Sequence, residues 1–133
     1  MRTHVEFRSV AFPATEGEEE EVNLGLWGKM LATYLRTELS KRGLPGPEPY
    51  PEDWGWAVPL DNSEFPLWVG CGRYQEYPDG FLCFIEPSKP HVRRWFKKID
   101  TQARVEQVAN AIDSALRENV AVRDLRWWTE QEV

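Results

Sequence analysis

No Cys-x-x-Cys pair occurs anywhere in these 133 residues, and the two cysteines, Cys71 and Cys83, stand at no metal-binding or redox spacing. Two buried, reduced thiols are therefore expected rather than a disulfide framework or a zinc site. Also missing are His-Glu-x-x-His, Gly-x-Ser-x-Gly, a phosphate-binding loop and a dinucleotide fingerprint, since Gly70-Cys71-Gly72 lies in a strand pattern and opens no helix. Histidine is scarce, and neither His4 nor His91 sits in a recognisable constellation. Cys71 as a nucleophile would need a base and an electropositive surround, and the sequence offers neither. No catalytic residue, metal ligand or cofactor is expected. No stretch approaches the ~20 apolar residues of a membrane-spanning helix, and residues 1–8 lack the apolar core of a secretory signal. A soluble cytoplasmic protein without a membrane partner is the expectation.

What the chain does hold is a surplus of indole, with seven Trp beside an ordinary 41% apolar and 29% charged content. The length suits a single domain, 1–133, able to close one core without staples. The formal charge of −6 is carried by the first half: residues 1–66 have six Lys/Arg against twelve Asp/Glu, whereas 67–133 are balanced at ten each. An acidic balance disfavours nucleic acid as a partner and favours a basic protein.

Residues 4–12 alternate loosely as a strand, with Val5 and Phe7 on one side and Val10 and Phe12 on the other. Residues 13–22, with Glu16 and then Glu18 to Glu21, read as a mobile acidic loop with nothing to bury. Leu24, Trp27, Leu31, Tyr34, Leu35 and Leu39 recur at helical spacing, so a helix is expected over 24–42, capped by Asn23 and stopped by Gly43. Gly25 and Gly28 would let another backbone approach, that of the Gly55 strand being one candidate. Pro45, Pro47, Pro49 and Pro51 make a stiff extended connector.

Three strands follow, over 54–60, 67–74 and 81–86, joined by Asp61-Asn62-Ser63 and Pro78-Asp79-Gly80 as an antiparallel meander. Strand alternation would set Trp54, Trp56, Val58 and Leu60 on one face and Gly55, Ala57 and Pro59 on the other. Residues 87–100 turn basic, with Trp95 and Phe96 among Lys89, His91, Arg93, Arg94, Lys97 and Lys98. The combination could grip phosphates or single-stranded nucleic acid, but a half-exposed loop or short strand with the two rings packed inward is preferred, because the chain is acidic. Val105, Val108, Ala109, Ile112, Ala115 and Leu116 mark one apolar stripe of a helix over 101–119, capped by Asp100 or Thr101. A last strand around Val122, Leu125 and Trp127 precedes a polar tail, 129–133. The order β-α-β-β-β-α-β is that of an α+β domain: a mostly antiparallel sheet of about five strands with two helices packed on one face.

The other face would be partly open, and the residues expected to line it or flank it are Glu52, Asp53, Trp54, Trp56, Trp68 and Tyr74. The stretch Glu52-Asp53-Trp54-Gly55-Trp56 resembles a motif of small bacterial proteins of unknown function, some of them similar to immunity proteins or secretion chaperones. The resemblance implies no cofactor and no catalytic residue. Two readings remain open. One is a non-enzymatic cytosolic protein that contacts a basic protein partner through this acidic, Trp-rich surface. The other is a small enzyme or small-ligand-binding domain using a Trp-lined sheet pocket with Glu52 and Asp53; for acid–base chemistry the candidates are Glu52, Asp53, Asp61 and Glu64.

Overall fold

A computed structural model describes residues 1–129, so the tail expected at 129–133 lies, beyond Thr129, outside the described residues. The fold is α+β, as expected, with one strand more in the main sheet than the spacing suggested. Strands β1 (His4–Ser9), β2 (Tyr50–Glu52), β3 (Gly55–Leu60), β4 (Leu67–Arg73), β5 (Gly80–Glu86) and β8 (Val122–Trp128) form one sheet in the order β2-β3-β4-β5-β1-β8. Every neighbouring pair is antiparallel. A separate hairpin, β6 (His91–Arg94) and β7 (Lys97–Asp100), precedes the last long helix. The helices are a single turn, α1 (Glu18–Glu21), and two long ones, α2 (Lys29–Lys41) and α3 (Gln102–Arg117).

Alternation along the strands sends Val5, Phe7, Val58, Val69, Cys71, Phe81, Cys83 and Ile85 to one face, where they meet the buried stripes of both long helices. Tyr34 of α2 donates to the Ala115 carbonyl of α3 at 2.7 Å, tying the two helices across that face. The stripe of α3 is buried at every position expected, and Asp100 caps it by accepting from the Gln102 N–H at 2.7 Å. Gly43, at φ 80°, ends α2, with the Leu44 N–H reaching back to the Leu39 carbonyl at 2.9 Å.

Five expectations are corrected. The first long helix begins at Lys29 rather than near 24, because Gly25 takes a left-handed φ of 78° and leaves Leu24 exposed. Its cap is not Asn23, whose side chain donates instead to the Asp53 carbonyl at 2.9 Å. Gly28 does admit another backbone, but that of β4: a Cβ there would stand 2.7 Å from the Cys71 carbonyl oxygen. The proline-rich connector ends in a strand after all, since Pro51 sits opposite Trp56 in β2, at the sheet edge where a missing N–H costs no ladder bond.

The acidic run is the fifth. Glu18 is fully buried, with its carboxylate accepting from the N–H of Thr15 (2.8 Å), Gly28 (2.7 Å) and Lys29 (2.7 Å) and from the Trp56 indole (2.9 Å). It therefore caps α2 from eleven residues upstream of Lys29. Burial pushes this carboxyl's pKa up, but the donated N–H bonds and the Thr15 hydroxyl together outweigh it and hold the group below the ordinary glutamate range.

Cys71 and Cys83 are directly opposed on β4 and β5, both buried, with their sulfurs 4.0 Å apart and unbonded. Burial, then the Cys83 neighbour, raises the Cys71 thiol well above its usual pKa, which disfavours the thiolate that oxidation requires. Intact mass under non-reducing conditions, with alkylation during lysis, should show two free thiols that react only after denaturation. A stoichiometric loss of two hydrogens would overturn that expectation.

Candidate interaction surface on the open sheet face

The β2–β3 connection is a two-residue turn, Asp53-Trp54, closed by the pairing of Glu52 with Gly55. This turn changes the expected geometry. Trp56 is the first indole to follow strand alternation, and it points into the helix-covered core at 3% exposure, bonded to Glu18. Trp54 precedes the strand and its ring lies on the opposite face. Gly55 makes the reversal feasible: its φ is 152°, and a Cβ there would meet the Cys71 carbonyl oxygen at 2.4 Å.

On the face that carries no helix among the described residues, register aligns Tyr50, Ala57, Gly70, Phe84, His4 and Trp128 in one row across all six strands. Gly70 supplies the space for aromatic packing, since the Phe84 ring occupies the place of its missing side chain, 2.2 Å from where a Cβ would be. Trp54 stacks on Trp68 at 5.9 Å between centroids and tilts onto Phe84 at 5.1 Å, while Trp68 meets Phe84 edge-on at 5.6 Å. The row continues through His4, 5.9 Å from Phe84 and 5.2 Å from Trp128. Trp54, Trp68, Phe84, His4 and Trp128 are all half-buried, so each ring keeps an accessible part.

Of the six residues expected to form the site, the structure brings Trp54 and Trp68 into contact and sets exposed Glu52 on the same face, because it pairs with Gly55. Asp53 is exposed in the turn beside Trp54, its backbone held by Asn23. Tyr74, just past the end of β4, is half-buried and packs near Tyr77 at 6.2 Å. Its phenol pKa is raised by burial and then by Glu6, a residue of the open face. Trp56 does not belong to the surface. Phe84, Tyr50 and Trp128 do, and sequence reasoning missed them; the signal available was strand parity, once register was known.

At the other end of the strands a groove of about 590 Å³ runs between the sheet and the β6–β7 hairpin, with Phe65, Pro66, Trp68 and Glu86 on one side and Arg93 and Arg94 on the other. The hairpin contradicts the inward packing expected of its aromatics. Trp95 and Phe96 form its two-residue turn, 90% and 99% exposed, while Val92 and Ile99 supply the inward contacts. Arg94 fastens the hairpin to the body by donating to the carbonyls of Ser63 (3.0 Å) and Glu64 (3.1 Å).

Among the described residues no group of three His, Cys, Asp or Glu side chains is placed to hold a metal ion, and no helix is long and apolar enough to cross a membrane. Asp61 and Glu64, the other acid–base candidates, are both exposed in the loop between β3 and β4, Glu64 near Asp100 and Arg104. Comparison of the chain with protein-family models, with curated proteins and with solved structures finds no match.

Proposed function

We propose that this chain is a non-enzymatic cytosolic binding protein that holds a basic protein partner, in the manner of an immunity protein or a secretion chaperone, through the corner formed by Glu52, Asp53, Trp54 and Trp68. The observation that carries the reading is the Trp54–Trp68–Phe84 cluster, half-exposed on the helix-free sheet face with two carboxylates at the turn beside it. An exposed ion pair contributes only about 0–1 kcal/mol, so charge needs a desolvated anchor next to it. Held in a two-residue turn, these carboxylates lose less entropy on pairing than side chains in a loop would.

The test is a pull-down from host lysate at physiological salt, comparing wild type, Glu52→Lys/Asp53→Lys, and a control with the exposed pair Glu20→Lys/Glu21→Lys. A basic partner should be retained by the control and depleted at least ~10-fold from the corner variant, with both folded by circular dichroism. Retention of every partner by both variants, or recovery of none at any ionic strength, makes the carboxylates structural. The groove supports a second reading, a small-ligand site, because its 590 Å³ falls within the range of ligand pockets and Trp68 forms part of its wall. Glu52 and Asp53 do not line it, so a ligand that shifts the melting temperature equally in wild type and corner variant would favour that reading.

A further inference from the structure

Trp95 and Phe96 do nothing for the fold that the structure reveals. The hairpin is rooted by Val92, Ile99 and Arg94, while its tip rings stand in solvent. The tip is also strained, since Trp95 takes a φ of 61°, a region where a bulky side chain is an outlier and where glycine or asparagine is the usual choice. Around the rings, residues 87–99 hold five Lys/Arg and no carboxylate, which makes the rest of the chain more acidic than its total of −6. A strained turn presenting two large aromatics among cations has the composition of an interface anchor.

The chemistry that the Glu52/Asp53 corner calls for, cations with an aromatic to bury, is thus carried by this same chain. The two elements flank one face. Glu52 ends β2 opposite Gly55, the first residue of β3, and the hairpin lies beside the far end of β3 and the start of β4, where Arg93 and Arg94 wall the groove against Trp68. They are separated by about 20 Å, the length of a six-residue strand, with the aromatic cluster between. A face that is acidic at one end, basic at the other and aromatic in the middle is self-complementary under a two-fold axis that lies in the plane of the contact, perpendicular to the line from corner to hairpin: each copy's hairpin then meets the other's corner. We infer that this protein pairs with a second copy of itself, the Trp95-Phe96 hairpin of each docking against Glu52, Asp53 and Trp54 of the other. The inference rests on the corner's proposed affinity for basic surface and names the partner that supplies it. Nucleic acid and anionic membranes fit less well, because both would meet the acidic body as well as the hairpin, whereas a second copy presents opposite charge at each end of the contact.

Sedimentation velocity over a micromolar to millimolar series should show the average mass rising from the monomer's 15.5 kDa towards twice that value. Glu52→Lys/Asp53→Lys and Arg93→Glu/Lys97→Glu/Lys98→Glu, the second of which leaves the hairpin with more carboxylates than cations, should each remain monomeric, because each gives like charges at both contacts. An equimolar mixture of the two restores opposite charges at both contacts and should regain the dimer, a result that misfolding of either variant cannot produce. Wild type that stays monomeric throughout overturns the pairing, as does a dimer that both variants retain or a mixture that stays monomeric. Monomeric wild type that binds an oligo(dT) strand or phosphatidylserine vesicles through the hairpin overturns it too, and assigns the hairpin to that ligand. Failure here is separable from failure of the corner itself: a monomer that still captures a foreign basic partner through Glu52 and Asp53 leaves the proposed function standing and removes only the second copy.

Discussion

Replacing Ile112 with Ala should destabilise the fold by about 2–5 kcal/mol, the range found when a fully buried branched aliphatic is truncated and its cavity only partly collapses. Ile112 has no exposed surface and lies mid-helix in α3, between Val108, Ala109 and Leu116, with the sheet on one side and α2 beside it. The residues around it belong to two helices and the sheet, so no single element can move in to fill the space without opening another contact. Equilibrium unfolding in urea decides the matter, with exposed Ser114→Ala on the same helix as the reference. A loss under about 0.5 kcal/mol for Ile112→Ala would show that this face of α3 is not packed as described.

Glu18→Gln should cost about 2–4 kcal/mol at neutral pH, because a carboxylate that accepts from four N–H groups and the Thr15 hydroxyl is replaced by an amide whose NH2 faces those same donors. The partners left wanting are the first N–H groups of α2 and the indole of Trp56, itself only 3% exposed. The pH dependence carries the sign. Glu18 has a folded-state pKa below its ordinary value, so its contribution is fully present above the unfolded pKa of about 4.3 and is lost as pH falls through the folded one. The gap between wild type and Glu18→Gln should therefore be widest near pH 7 and should narrow below about pH 4, where the wild-type side chain is itself protonated. A gap that is constant from pH 7 to about pH 3 would mean that the charge is immaterial and that shape alone accounts for the effect.

The contrast between these two residues explains how much of the fold could be read in advance. Ile112 announces itself through neighbours three and four residues away, and the α3 stripe was legible to the residue. Glu18 does so only weakly: it stands in a run of four glutamates, and apart from Thr15, three residues before it, its partners lie ten, eleven and thirty-eight residues away, so little that is local separates it from its solvated neighbours Glu20 and Glu21. The same limit governs the candidate site. Assigning Trp54 and Trp56 to one face assumed that the strand already ran through both, and the reversal at Gly55 depends on a short edge strand, β2, that the proline-rich stretch concealed. Trp95 and Phe96 were expected inside because an acidic chain disfavoured a nucleic-acid grip, although their position in a two-residue turn is what turns them out. The motif from Glu52 to Trp56 was thus legible as a place of interest, and its geometry was not.

The strand order has a bearing on how the chain is made. β1 is the first of this sheet's strands in chain order, yet it lies between β5 and β8, which follow it by some seventy-five and one hundred and twenty residues. On the ribosome the meander from β2 to β5 can assemble as soon as Glu86 is clear, but until the amino-terminal strand docks, β5 presents an unpaired edge bearing Phe81, Cys83 and Ile85. Completion then waits for β8, the last strand of this sheet in chain order, to seal the far side of β1. Non-local pairing of this kind slows closure of the sheet, so the nascent chain passes through an interval in which its own amino-terminal strand competes with any other extended segment for the open edge of β5.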